Sequence, residues 1–111
     1  MGRAGKDTVA VAIDPAAPVD PAAGPALASA FGVLVGRQLG RFGALVVTGG
    51  ETARAILSTA GVQVLCIRRE IEPGVVLSKA GVLPVVTKAG AFGAPQSLAR
   101  AVDILRSLPL A

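Results

Sequence analysis

Two glycine-rich turns, each following an apolar run, are where this chain has the residues to do chemistry. The first is Val47-Thr48-Gly49-Gly50-Glu51-Thr52. Glycines let a backbone approach a ligand closely and adopt positive φ. A helix opening at this point presents free N–H groups and the positive end of its dipole, which together attract anions. Thr48 and Thr52 add hydroxyl donors. Glu51 repels phosphate unless a cation lies between, so it is a candidate ligand for a Mg²⁺ bridging to phosphate oxygens. It can equally complement the helix dipole, with Gly49-Gly50 making no more than a tight turn. The second turn is Lys88-Ala89-Gly90-Ala91-Phe92-Gly93. Lys88 can pair with a phosphate as a point charge, Gly90 and Gly93 open the backbone, and Phe92 either closes on the core or lies beside a base. The competing reading is an ordinary strand-to-helix turn with a solvated lysine. Two such turns in one small domain favour a single ligand shared between them.

Other chemistries are excluded or disfavoured. There is neither a GxxxxGK[ST] loop nor a GxGxxG fingerprint. The absence of histidine removes Ser-His and Cys-His catalysis and most transition-metal sites. A single cysteine, Cys66, rules out an internal disulfide and favours a reducing compartment; its apolar surroundings read as a buried strand. The net charge is +4, but the basic residues are scattered, and Trp and Tyr are absent. Without a basic stripe or stacking aromatics, the balance suits small anionic ligands rather than nucleic acid. No apolar run reaches the ~18 residues of a membrane span, and the N-terminus lacks an apolar signal core, so the expected location is cytoplasmic. Hydrophobic residues make up 52% and charged ones 16%, below the roughly 25% charged of soluble domains. Such a surface suggests an apolar face meant for another domain or subunit.

The elements that must position these turns alternate between strand and helix. Residues 8–13 read as a first strand, followed by a proline-rich loop over 14–24. From Pro25, Leu27, Phe31, Leu34, Val35 and Leu39 recur at helical spacing on one face, closed by Gly40 and Gly43. Residues 44–48 form an apolar strand and 51–59 a helix with Ile56 and Leu57 inward. Gly61 ends that helix and 62–67 forms the next strand. Residues 70–81 are irregular or a hairpin, punctuated by Pro73-Gly74. A strand at 83–88, a turn over 89–95 and a helix over 97–108 complete the pattern, with Leu98, Ala101, Val102, Leu105 and Leu108 on one face of that helix. This alternation predicts an α/β fold: a three-layer α/β/α domain with a largely parallel or mixed sheet. Ligands bind such sheets beyond the carboxyl ends of the strands, where both turns lie.

Taken together, Thr48-Gly49-Gly50-Glu51-Thr52, then Glu70-Ile71-Glu72-Pro73-Gly74-Val75, then Lys88-Ala89-Gly90-Ala91-Phe92-Gly93 resemble the C-terminal nucleotide-binding domain of the four-carbon acid sugar kinases. The segment from Ala12-Ile13-Asp14-Pro15 to Phe42 fits the same family, so the resemblance covers nearly the whole chain. These kinases phosphorylate acids such as threonate, erythronate and their 3-oxo relatives with ATP. The resemblance implies ATP and Mg²⁺ as cofactors, with Thr48, Gly49, Gly50, Glu51 and Gly90 contacting the nucleotide; the residue types of the two turns add Thr52, Lys88 and Gly93 beside it and Glu51 on the metal. It names no catalytic base among these residues. Many relatives carry Asp at the Glu51 position, which keeps the carboxylate, and Ser-Gly-Asn where this chain has Ala89-Gly90-Ala91, so side-chain contacts from Ala89 and Ala91 are not carried over. Proline is common at the Val76 position. Residues 1–111 are expected to form one partial nucleotide-binding domain, without the N-terminal acid-binding domain and the first strand-helix unit of the family. The partner expectations are ATP, a four-carbon acid sugar held by the absent domain, and a second copy or a split subunit. Two rival readings remain: a non-catalytic nucleotide or phosphometabolite binding module, and a degenerate remnant that oligomerises through an open sheet edge.

Overall fold

The structure, a computed structural model, describes residues 24–89 and 96–108. The expected strand at 8–13, the proline-rich loop before Gly24, and Gly90 and Gly93 of the second turn lie outside the described residues. The elements run α1 (Gly24–Gly36), a single 3-10 turn at Leu39–Arg41, β1 (Leu45–Thr48), α2 (Gly50–Thr59), β2 (Cys66–Glu72), β3 (Val75–Ala80), β4 (Leu83–Lys88) and α3 (Ser97–Ser107). Among the described residues, no helix is long and apolar enough to cross a membrane.

The four strands form one sheet in the order β1-β4-β3-β2. β1 and β4 are parallel, whereas β4 with β3 and β3 with β2 are antiparallel. The described sheet is therefore mixed, and of the two expectations the largely parallel one does not hold. The turns explain this. Pro73-Gly74 joins β2 to β3 and Gly81-Val82 joins β3 to β4, with Gly74 at φ +79° and Gly81 at φ +62°. Two-residue connections of this kind join only antiparallel neighbours, because a parallel pair needs a crossover of a dozen residues or more.

Side-chain alternation gives the sheet two apolar faces. On one, Leu45, Val47 and Val85 pack with Ala53, Ile56 and Leu57 of α2, with Phe31 and Val35 of α1 against them. On the other, Val75, Leu77 and Val86 pack with Ala101 of α3, joined by Val46 and Leu105. The expected three layers are present, with α1 and α2 on one face and α3 on the other.

Three local readings need correction. The strand expected at 62–67 starts four residues later, at Cys66. The hairpin turn fixes the register of β2 against β3 counting back from Pro73, so pairing, rather than apolar character, sets the strand's limits. Residues Val62 and Leu65 bury against the core without joining the ladder. Cys66 is accordingly exposed, not buried. The helical stripe assigned to α1 is only partly inward: Leu34 is 61% exposed and Leu27 also faces solvent. The helix instead lays Gly32 and Gly36 against α2, close enough for backbone contact with Ala55 and Ile56. On α3 Leu98 is exposed, and the buried positions are Ser97 and Ala101.

Candidate functional site

Because β1 and β4 run parallel, their carboxyl ends arrive at the same edge of the sheet. Thr48 and Lys88 are partners across that ladder. The antiparallel strands bring the β2–β3 turn to the same place, since Lys88 also pairs with Val75, and Val75 with Glu72. Glu72, Val75, Lys88 and Thr48 thus form one row across all four strands. Backbone hydrogen bonds join the segments just beyond that row. Gly49 N–H donates to Lys88 O at 3.0 Å, and Ala89 N–H donates to Gly74 O at 2.9 Å. Three segments far apart in sequence, around Gly49, Gly74 and Ala89, meet at one end of the sheet.

Gly49 is the N-cap of α2 with φ +93° and contributes no side-chain cap. The first bond closing the helix runs from Ala53 N–H to Gly49 O. The amides of Gly50, Glu51 and Thr52 precede that bond and carry the positive end of the dipole. Thr48 and Glu51 are exposed and Thr52 is half-buried. A Cβ at Gly50 would meet no atom within 4 Å, so the turn stands open to solvent. The Lys88 ammonium donates to Ala89 O at 3.3 Å, holding this side chain at the same edge. Five of the eight expected site residues, Thr48 to Thr52, therefore form one continuous turn. Lys88 adjoins it through the ladder, and Gly90 and Gly93 lie outside the described residues.

Glu72 received no separate role in the sequence reading, yet it ties this end of the sheet together. Its Oε2 accepts a hydrogen bond from the Ser97 hydroxyl at 3.0 Å, and its Oε1 lies 2.7 Å from Nη1 of Arg100. Ser97 is 1% exposed, so the carboxylate anchors the β2–β3 turn to the start of α3. The ion pair, with Arg100 about half exposed, adds little by itself; the Ser97 bond sets the geometry. The only sequence signal for this role was the place of Glu72 beside Pro73-Gly74. Among the described residues, no three His, Cys, Asp or Glu side chains gather into a metal site.

Comparison with known proteins fits this geometry. The family model described as the nucleotide-binding C-terminal domain matches residues 2–98. A D-threonate kinase of Cupriavidus necator is 47% identical over 103 residues, which cover 86% of this chain and 24% of that kinase. A 3-oxo-tetronate kinase of Pseudomonas savastanoi pv. phaseolicola is 45% identical over 63 residues, covering 54% of this chain and 15% of that protein. A domain of unknown function from Bordetella bronchiseptica, solved in two crystal forms as a domain-swapped dimer with bound citrate, is 33% identical. It aligns with TM-scores of 0.67 and 0.69, over 76% and 78% of this chain and 23% of its own. The chain spans about a quarter of the length of the D-threonate kinase and of the solved relative. It belongs to the nucleotide-binding C-terminal domain family of the four-carbon acid sugar kinases.

Proposed function

We propose that this chain is the ATP-binding part of a kinase that transfers the γ-phosphoryl group to a four-carbon acid sugar. The chain spans about a quarter of its D-threonate kinase relative, and in this reading the acid is held by another part of such a protein. The observation that carries this reading is the meeting of Thr48-Gly49-Gly50-Glu51-Thr52, Pro73-Gly74 and Lys88-Ala89 at the carboxyl ends of β1 and β4. That is where α/β sheets bind their ligands.

In this reading the amides of Gly50 and Glu51 and the hydroxyls of Thr48 and Thr52 hold phosphate oxygens. Lys88 contributes positive charge at the same edge, and Gly90 and Gly93 are proposed as further nucleotide contacts. Glu51 fits Mg²⁺ by the chemistry of its exposed carboxylate, and the ion would neutralise charge on the phosphates. Phosphoryl transfer depends mainly on positioning and charge neutralisation. The residues here supply both for the donor, and no catalytic base is assigned among them. A cytoplasmic location, where ATP is available, belongs to the same proposal.

Calorimetric titration with ATP and ADP, with and without Mg²⁺, tests the reading. Saturable binding strengthened by Mg²⁺ is expected. A folded sample that binds neither nucleotide would overturn it. Binding that stays inert when the acid-binding domain is supplied would instead leave a non-catalytic module. A structural, oligomerising role is the second reading, favoured by β2. This strand is an edge of the described sheet, and Ile67 on it is 75% exposed. Such edges invite pairing between chains.

A further inference from the structure

We infer that Glu72 is a positioning residue for the nucleotide: together with the Gly74 carbonyl it holds the chain on both sides of residues 90–95 in place beside the first glycine turn. The inference rests on the nucleotide reading above. It gives the middle motif, Glu70-Ile71-Glu72-Pro73-Gly74, a role that its residue types alone do not announce.

The motif builds a seated corner. Pro73-Gly74 reverses the chain between β2 and β3, with Gly74 at φ +79°. Ile71 packs against the cluster of Val75, Leu77, Val86 and Ala101, which fixes the strand leading into the corner on the α3 face of the sheet. Two bonds leave this corner. Gly74 O accepts the Ala89 N–H at 2.9 Å, and Glu72 Oε2 accepts the Ser97 hydroxyl at 3.0 Å. Ala89 and Ser97 stand on either side of residues 90–95 of the chain. One turn thus bonds to the chain just before that segment and again just after it.

Packing alone does not account for the carboxylate. Ser97 is 1% exposed and the Glu72 side chain 17%. Where polar groups are taken out of water in this way, an apolar pair of similar volume often packs as well or better. What the bond from hydroxyl to carboxylate adds is direction, because it sets orientation as well as distance. The ion pair of Oε1 with the half-exposed Arg100 adds little, so the oxygen that faces Ser97 carries the role. On its other side the same corner leads through Ala89 to Gly90, the next residue. It also leads through Lys88, whose carbonyl accepts the Gly49 N–H at 3.0 Å, to the first glycine turn. Start of α3, corner, second turn and first turn are linked in one line. Holding the ends of a binding segment before the ligand arrives removes ordering cost from binding. Small displacements of positioning groups remote from the reacting atoms are correspondingly costly.

The test measures Mg²⁺-ATP affinity by calorimetry, and amide hydrogen exchange without nucleotide, on the whole chain and on Glu72→Ala, Ser97→Ala and Glu72→Gln. The two alanine variants remove the same bond from its two ends, and each is expected to weaken ATP binding by about fivefold or more. In Glu72→Gln the amide oxygen still accepts the Ser97 hydroxyl, so affinity should return to within about twofold of the unaltered chain. The Ala89 amide should exchange about tenfold faster in both alanine variants, while that of Ile56, in the core on the opposite face, keeps its rate. Alanine variants that bind ATP as tightly as the unaltered chain would overturn the positioning role and leave the nucleotide reading standing. So would a Glu72→Gln chain as weak as Glu72→Ala, or an Ile56 amide that accelerates as much as that of Ala89. An unaltered chain that binds no ATP would overturn the nucleotide reading itself, and this inference with it. Should Glu72→Ala fail to fold, Ser97→Ala, which loses a single oxygen atom, decides.

Discussion

Gly49 and Gly50 are adjacent, yet they are glycine for different reasons. Gly49 has φ +93°, a region that L side chains rarely enter, so backbone geometry alone requires it. Gly50 has ordinary helical geometry and empty space where a Cβ would lie. Neither conformation nor packing demands glycine there; under the proposed function, it leaves the approach to the helix amides unobstructed. The Thr48–Thr52 turn and Lys88 could be singled out in the sequence because Gly49-Gly50 is its one adjacent glycine pair and both segments close apolar runs. The sequence did not reveal that Thr48 and Lys88 are direct ladder partners, because register is a property of the assembled sheet. Glu51 yields a prediction at this scale. In Glu51→Gln, the strengthening of ATP binding by Mg²⁺ should shrink by about fivefold, or ~1 kcal/mol, while Mg²⁺-free binding holds or improves as a carboxylate is removed from beside the phosphates. Parallel titrations with and without Mg²⁺ measure this, and an unchanged Mg²⁺ effect would remove Glu51 from the metal.

At the scale of elements, α1 shows how periodicity misleads. Leu27, Phe31, Leu34, Val35 and Leu39 have the spacing of one helical face, but the contact with α2 runs through Gly32 and Gly36. A Cβ at Gly32 would lie 2.8 Å from Ala55 C and 2.9 Å from Ile56 N, and one at Gly36 would lie 2.7 Å from Ile56 O. These neighbours are backbone atoms and cannot rotate away. Small residues four apart on a helix let two backbones approach closely, a signal that apolar periodicity passes over. Gly32→Ala should therefore cost about 1–3 kcal/mol through overpacking, although alanine is the better helix former by ~1 kcal/mol. A thermal melt reads the cost as a fall of about 4–8 °C per kcal/mol; an equal or higher midpoint would contradict the α1–α2 packing. The β2–β3 hairpin was half legible. Pro73-Gly74 announced the turn, but the apolar run at 62–67 looked more like a strand than the charged segment Cys66–Glu72 that forms one. Edge strands tolerate such charge and such register irregularities, and β2 is an edge of the described sheet.

At the scale of the molecule, the alternation of elements was enough to give three layers, because a two-faced sheet must be covered on both sides. It was not enough to fix strand direction, which depends on the two short hairpin turns. The surplus of apolar residues noted in the composition reaches the surface as Leu34, Val64, Ile67 and Val82, each more than half exposed. A domain spanning about a quarter of its kinase relative has such surface to offer to a neighbour. All of this architecture brings three distant segments to one end of the sheet, where the proposed nucleotide would bind. The most direct measurement is calorimetric titration of Mg²⁺-ATP into the chain beside a Gly50→Val variant, with thermal melts of both. A Cβ at this position meets no atom within 4 Å, so the variant should fold with near-unaltered stability and lose ATP affinity by about tenfold or more. A folded Gly50→Val chain that binds Mg²⁺-ATP as tightly as the unaltered one would rule out a nucleotide site at this turn.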